Sequence, residues 1–168
     1  ITDPAAAFPA GFALPAVLKP AKQGSSVGLR FIERAEDWAE ALRFSFQYDD
    51  QLLLERKISG RETTAGILDA QPLPIVEVRP RQGAYDYQHK YTSGATEYFC
   101  PAEFDPATTD RIQSAALAAF RAVGGRDYGR VDVMVTPAGE PVVLEVNTLP
   151  GMTETSLFPK AAAAGGIG

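Results

Sequence analysis

Mixed strand and helix signals, with consecutive strands close enough to pair antiparallel, predict an α+β protein rather than a βαβ repeat. Three stretches of the sequence carry that expectation. Two β-branched runs, Arg130 to Val135 and Val142 to Asn147, flank the turn sequence Thr-Pro-Ala-Gly-Glu-Pro and read as a hairpin. Strand signals at Ala16 to Lys19 and Leu29 to Ile32 enclose a short glycine-containing loop. A helix with a full set of end signals follows Asp105. At 168 residues the chain can bury one good core, or two small lobes sharing a cleft.

Taken in order, the first strand ends at Pro20, and the loop Gly24-Ser25-Ser26-Val27-Gly28 leads into the second. Trp38, Ala41, Leu42 and Phe46 recur at helical spacing and predict an amphipathic helix from about Ala35 to Gln47. Leu52 to Ile58 reads as a buried strand, continued by Glu62 to Leu68 after a Ser59-Gly60 turn. Residues 72 to 104 are rich in Pro, Tyr and Gly and weakly periodic, which points to a functional loop. Asp105 is a natural N-cap with Pro106 at the first helical position, and Gly124-Gly125 ends that helix. Ile112, Ala115, Ala116, Ala119, Phe120 and Val123 form its predicted buried face. The hairpin follows, and Leu157-Phe158-Pro159-Lys160 with four alanines starts a last helix.

Composition narrows the function. Asp and Glu number 21 against 16 Lys and Arg, with no basic block, which argues against a nucleic-acid surface. No stretch is long and apolar enough to span a bilayer, and no charged-then-apolar leader opens the chain. Cys100 stands alone, so an internal disulfide is impossible and a reducing compartment is compatible. His89 is the sole histidine, and a Ser-His-Asp site or a His-rich zinc site would rest on it alone. The chain opens without methionine and closes on Gly165-Gly166-Ile167-Gly168, so both ends read as cut from something longer.

The hairpin holds the sharpest chemical signal. With Ala138 and Gly139 as a two-residue tip, Val131 faces Val146, Val133 faces Leu144 and Val135 faces Val142 on one apolar side. The other side pairs Asp132 with Glu145 and Arg130 with Asn147. Two opposed carboxylates repel unless positive charge lies between them. A hard divalent cation held by Asp, Glu and Asn oxygens is the usual solution, against the blander reading of a solvated polar face.

Other residues carry weaker signals. The Gly24 to Gly28 loop resembles a phosphate cradle, because glycines let backbone N–H groups approach anionic oxygens. It lacks the Walker Lys-Ser/Thr ending and joins strand to strand, so a plain hairpin connection competes. Lys19, just before it, is a suitable point charge for a phosphate. Glu55 and Glu62 can accept hydrogen bonds from an adenine amino group or ribose hydroxyls, or simply face solvent. Tyr85 to Tyr91 is an aromatic loop in which Lys90 could close over phosphates and Tyr91 orient a polar side chain; a surface aromatic cluster is the alternative, and His89 reads as a surface residue.

The segments KPAKQGSSVG, LLERKISGRE, YDYQHKY, GRVDVMV and LEVNTLPGMTETSL, in that order, closely resemble the D-alanine–D-alanine ligase family of the ATP-grasp superfamily. The resemblance covers nearly the whole chain. It implies two α+β lobes with antiparallel sheets enclosing a nucleotide cleft, and the absence of the family's N-terminal lobe. Residues 1–58 would be part of the central lobe, and residues 59–168 the C-terminal lobe, shortened at its end.

The same resemblance implies roles for named residues. Lys19 would contact the α and β phosphates of ATP, and Gly24, Ser25, Ser26 and Val27 would cover them. Ser25 would organise the active site with Tyr91, and Lys90 would reach the terminal phosphates. Glu55, Arg56 and Ile58 would form the adenine hinge, and Glu62 would take the ribose. Arg130 would stabilise the transferring phosphoryl group and the tetrahedral intermediate. Asp132, Glu145 and Asn147 would ligate two Mg2+ ions, with Mn2+ able to substitute. Gly151, Ser156 and Leu157 would hold the second substrate, Ser156 on its carboxylate. Residues 79 to 98 would be a lid.

The implied partners are ATP and D-alanine, the implied setting is the cytoplasm in peptidoglycan precursor synthesis, and the full-length protein would be a homodimer. Arg56 stands where the family often has lysine, a change that keeps the charge. The absent lobe supplies the first D-alanine site, so this chain alone would bind nucleotide weakly and ligate poorly. Lys90-Tyr91 resembles the dipeptide-forming type rather than ligases for D-lactate or D-serine. Another ATP-grasp carboxylate–amine ligase and a nucleotide-binding module without catalysis are the remaining readings.

Overall fold

The computed structural model describes residues 1–80 and 96–167. Contacts divide the chain into two compact units, one of Ile1–Lys57 and one beginning at Ile58. The first holds β1 (Ala16–Pro20), β2 (Arg30–Ile32), α1 (Trp38–Ser45) and β3 (Leu52–Arg56), with a 3-10 turn at Ala35–Asp37 before α1. Its sheet runs β2-β1-β3, antiparallel throughout. Alternation along β1 buries Ala16, Leu18 and Pro20, the first two against α1, where Trp38, Ala41 and Leu42 supply the apolar stripe. The Pro and Ala-rich opening forms no strand or helix, yet it packs. Phe8 meets the Trp38 ring edge-on at 5.3 Å, and Trp38 Nε1 donates to the Ala6 carbonyl at 2.8 Å.

The second unit contains β4 (Arg61–Leu68), β5 (Gln71–Pro72), β6 (Val76–Pro80), β7 (Thr96–Phe99), α2 (Pro106–Ala122), β8 (Tyr128–Val135), β9 (Pro141–Asn147) and α3 (Leu157–Ala164). Its sheet runs β7-β6-β4-β8-β9, with β5 on β4, and every pairing is antiparallel. The α+β class with antiparallel sheets is as predicted. One face of this sheet packs α2 through Ala65, Ile67, Val131, Val133 and Val135 against Ile112, Ala116 and Phe120. On the other face a Cβ added at Gly66 would lie 3.2 Å from the Phe158 ring, so α3 sits close over that end of β4. No helix among the described residues is long and apolar enough to cross a membrane.

Several expectations need correction. β3 stops at Arg56 with Leu53 44% exposed, and β4 belongs to the other sheet, so the two are not one interrupted strand. The helix near residues 35–47 is α only from Trp38 to Ser45. Part of the stretch taken as loop, residues 72–104, is sheet: β6 and β7 pair there. Asp105 caps α2 as predicted, accepting from Thr108 N at 3.0 Å, but Val123 is 57% exposed because the helix has ended and its side chain passes the core.

The hairpin tip also differs. Thr136 N donates to Glu140 O at 3.0 Å and Gly139 N to Thr136 O at 2.8 Å, so Pro137-Ala138-Gly139 is a three-residue loop. A two-residue I′ tip would force Ala138 to positive φ; placing only Gly139 there, at φ +77, avoids that cost. Val133 therefore faces Val143 and Val135 faces Pro141, while a bulge absorbs Leu144 and restores Asp132 opposite Glu145.

An ion cluster built on one buried carboxylate braces this unit. Glu77, 3% exposed, accepts from Arg61 Nε at 3.0 Å and Nη2 at 2.6 Å, and from Arg79 Nη2 at 3.0 Å. Arg61 lies over the Phe104 ring at 3.7 Å and Arg79 over Phe99 at 4.2 Å. Hydrogen bonds from Arg61 outweigh burial and, with Arg79, hold the Glu77 carboxyl below the usual carboxylate range. A depressed folded pKa means the stabilisation is present above the unfolded value and is lost as pH falls through the folded one. We expect the melting-temperature gap between wild type and Glu77→Gln to close as pH is lowered from 7 to about 3. A constant gap across thermal melts would show that the cluster adds no proton-linked stability.

Candidate active-site residues

Period-two alternation puts Arg130, Asp132 and Met134 on the face of β8 opposite the α2 core. Register sets Gly66, Thr64 and Glu62 of β4 beside them on one flank, and Asn147 and Glu145 of β9 on the other. One sheet face therefore gathers five of the residues singled out in sequence: Glu62, Arg130, Asp132, Glu145 and Asn147. Arg130 Nε and Nη2 bind both oxygens of Asp132 at 2.9 and 2.8 Å, a bidentate pair between alternate residues of one strand. Thr64 Oγ1 donates to Asp132 Oδ1 at 2.7 Å.

The positive charge beside Asp132 is thus a guanidinium already built into the strand. The side chains of Arg130 and Asp132 are 11% and 18% exposed, whereas Glu145 is exposed at the sheet edge and Asn147 half-buried. Asn147 Oδ1 accepts from Leu149 N at 3.1 Å, holding the turn into the next segment. Thr64 is a contact that sequence reading missed. Its only signal was a Thr-Thr pair between the charged start and the apolar end of β4, and the β4–β8 register that delivers it is invisible locally.

The donor set suits a hard cation. Asp132, Glu145 and Asn147 offer oxygens only, which matches Mg2+ chemistry rather than zinc or copper. Among the described residues no three or more His, Cys, Asp and Glu side chains cluster as a metal site, and this set has two carboxylates and one amide.

Beyond β9, Ser156 stands at the N-cap of α3 but its hydroxyl turns away from the helix. It accepts from Thr153 N at 3.2 Å and lies 2.8 Å from Thr153 Oγ1. A Cβ at Gly151 would come within 2.8 Å of Ser156 Oγ, so glycine there is what lets the two ends of this turn close. Leu157 begins α3 half-buried, while Leu149 and Met152 project, 79% and 51% exposed.

In the first unit, Lys19 of β1 and Glu55 of β3 form an ion pair at 2.9 Å. They are diagonal across the ladder, in which Lys19 faces Leu53 and Glu55 faces Val17. Arg56 ends β3 exposed, and Ile58 begins the second unit half-buried. The Gly24 to Gly28 loop is two tight turns, closed by Val27 N to Gly24 O at 3.2 Å and Leu29 N to Ser26 O at 3.3 Å. Ser25 and Ser26 both hold left-handed φ, 57° and 59°. His89, Lys90 and Tyr91 lie outside the described residues.

Comparison with known proteins decides the affiliation. A family model described as D-ala D-ala ligase C-terminus matches residues 3–168. This chain belongs to the D-alanine–D-alanine ligase C-terminal family. A D-alanine–D-alanine ligase of Methylacidiphilum infernorum is 51% identical over 91% of the chain and 50% of the relative. The structure of the D-alanine–D-alanine ligase from Bacillus anthracis complexed with ATP is 36% identical with a TM-score of 0.75, over 90% of this chain and 48% of that one. A D-Ala:D-Ser ligase from Enterococcus faecalis is 33% identical with a TM-score of 0.81, over 92% and 46%. The chain spans about half the length of the ligases it matches. Within the ligase family, the order of motifs read from sequence and the α+β antiparallel architecture agree.

Proposed function

We propose that this chain is the nucleotide-binding half of an ATP-dependent ligase that joins two D-alanines through an acyl phosphate. The arrangement that carries the reading is the sheet face on which Asp132 and Glu145 stand opposed, with Arg130 and Asn147 alongside. In this reading residues 1–58 are part of the central ATP-grasp lobe and residues 59–168 are the C-terminal lobe. Asp132, Glu145 and Asn147 hold Mg2+, which supplies charge neutralisation for the transferring phosphoryl group. Arg130, held on the same sheet face by its two hydrogen bonds to Asp132, is the cation that stabilises the transferring phosphoryl group.

Lys19 is the α and β phosphate contact, and its pairing with Glu55 at 2.9 Å holds it at the end of β1 until nucleotide arrives. Ser25, Ser26 and the surrounding loop backbone cover the phosphates, Glu55, Arg56 and Ile58 line the adenine hinge, and Glu62 takes the ribose. Lys90 and Tyr91 serve the phosphates and the catalytic Ser25 from the lid. Gly151, Ser156 and Leu157 seat the second D-alanine. One D-alanine carboxylate takes the terminal phosphoryl group of ATP, and the amine of the second attacks that acyl phosphate, releasing phosphate and forming the peptide bond. The setting is cytoplasmic synthesis of a peptidoglycan precursor by a homodimer.

The intact ligase carrying this chain should release phosphate from ATP only when Mg2+ and D-alanine are both present. No D-alanine dependence would sink the ligase reading. The likeness to a D-Ala:D-Ser ligase supports a second acceptor, and the same assay with D-serine or D-lactate beside D-alanine separates the two by which product accumulates.

A further inference from the structure

The glycine-containing loop is tied down at both ends by residues outside it. At its start, Lys22 N donates to Asp49 Oδ2 at 2.6 Å, and the Asp49 side chain is only 4% exposed. Asp49 Oδ1 also accepts from Gln51 N at 3.1 Å, so one carboxylate joins the loop to the α1–β3 turn. Gln23 Nε2 reaches the Tyr48 carbonyl at 3.0 Å, and Ala21 N donates to Gln51 O at 2.8 Å.

At its end, the fully buried Ser45 donates from Oγ to the Gly28 carbonyl at 2.7 Å. Gly28 holds φ +74, and a Cβ there would lie 2.8 Å from the Tyr48 ring and 2.7 Å from Pro20. Between these anchors, Ser25 and Ser26 keep positive φ, a conformation that non-glycine residues adopt seldom and that neighbouring structure must enforce.

Fixed ends and an enforced centre are what a backbone cradle needs. N–H groups that must point at an anion in advance lose affinity if the loop has to order itself on binding. We propose that Asp49 and Ser45 are positioning residues for the nucleotide phosphates: they touch no ligand, and they hold the Lys22–Gly28 loop in its phosphate-covering form from the two ends of the α1–β3 connection. The inference rests on the nucleotide reading given above. It adds two residues that neither the motifs nor the ligand-facing side chains identify.

The test uses calorimetric titration of the intact ligase carrying this chain with ATP and, separately, with adenosine, both in excess Mg2+. Wild type should bind ATP more tightly than adenosine. Asp49→Ala and Ser45→Ala should each weaken ATP roughly tenfold while moving adenosine by no more than about twofold, since adenosine has no phosphates for the loop to cover. Asp49→Asn keeps an acceptor oxygen for Lys22 N–H and should recover most of the loss; thermal melts establish that each variant is folded at the titration temperature. If Asp49→Ala is unfolded there, Asp49→Asn and Ser45→Ala decide the question with the same ATP-against-adenosine readout. Equal loss for ATP and adenosine, or no loss for either, overturns the positioning role. Wild type that takes ATP no better than adenosine overturns the nucleotide reading, and the proposal with it.

Discussion

Glu145→Gln in the intact ligase should reduce Mg2+-dependent turnover by about a thousandfold or more while leaving the melting temperature nearly unchanged. The substitution preserves shape and hydrogen-bonding oxygen but removes one of the two opposed negative charges at the end of β9. Because Glu145 is exposed on an edge strand, its loss leaves no cavity and strips no core contact. Asp132→Asn would be a poorer probe, since it also breaks the two-pronged bond to Arg130 and weakens the contact from Thr64. Titration of activity against Mg2+ should show the variant's half-saturation moved far upward. Turnover close to wild type at ordinary Mg2+ would reject the metal assignment.

The largest effect on stability is expected from Phe120→Ala, about 3–5 kcal/mol. Phe120 is 1% exposed at the last turn of α2, in the core shared with Ala65, Ile67, Val131 and Val133. Its ring lies where a Cβ at Gly125 would be 2.3 Å away, and one at Gly129 2.6 Å away. Those glycines let backbone close directly on the ring, so on that side no side chain stands ready to fill the space left by alanine. Gly129 immediately precedes Arg130, so the void opens beneath the start of the strand that carries the site. Denaturant unfolding should show a large drop in midpoint with little change in slope. A loss under about 1 kcal/mol would mean the α2 packing collapses freely and the core is looser than its burial implies.

Much of the site was legible because its elements are local. Two β-branched runs around a turn define a hairpin, and period-two alternation then places Asp132 against Glu145 and Arg130 against Asn147 without reference to anything else. The tip holds one more residue than the two-residue turn expected from sequence, yet the Leu144 bulge restores those pairs. The cap at Asp105 was equally readable, since Asp, Pro and the terminal glycines act within a few residues of one another. Val123 was misplaced because helical spacing does not say where a helix leaves the core.

By itself the sequence determined the family motifs and their order, the antiparallel α+β class, the capped helix and the opposed carboxylates. These depend on backbone geometry and neighbours within a turn or a hairpin, where short-range sterics and pairing decide the outcome. Only the tertiary structure decided that β3 and β4 enter different sheets and that Arg130 itself neutralises Asp132. It also brought Thr64 to Asp132 across 68 residues, and Asp49 to the loop across 27. Such contacts form between segments whose separation carries no local signal; they are selected by which sheet register buries the most apolar surface while pairing every buried charge.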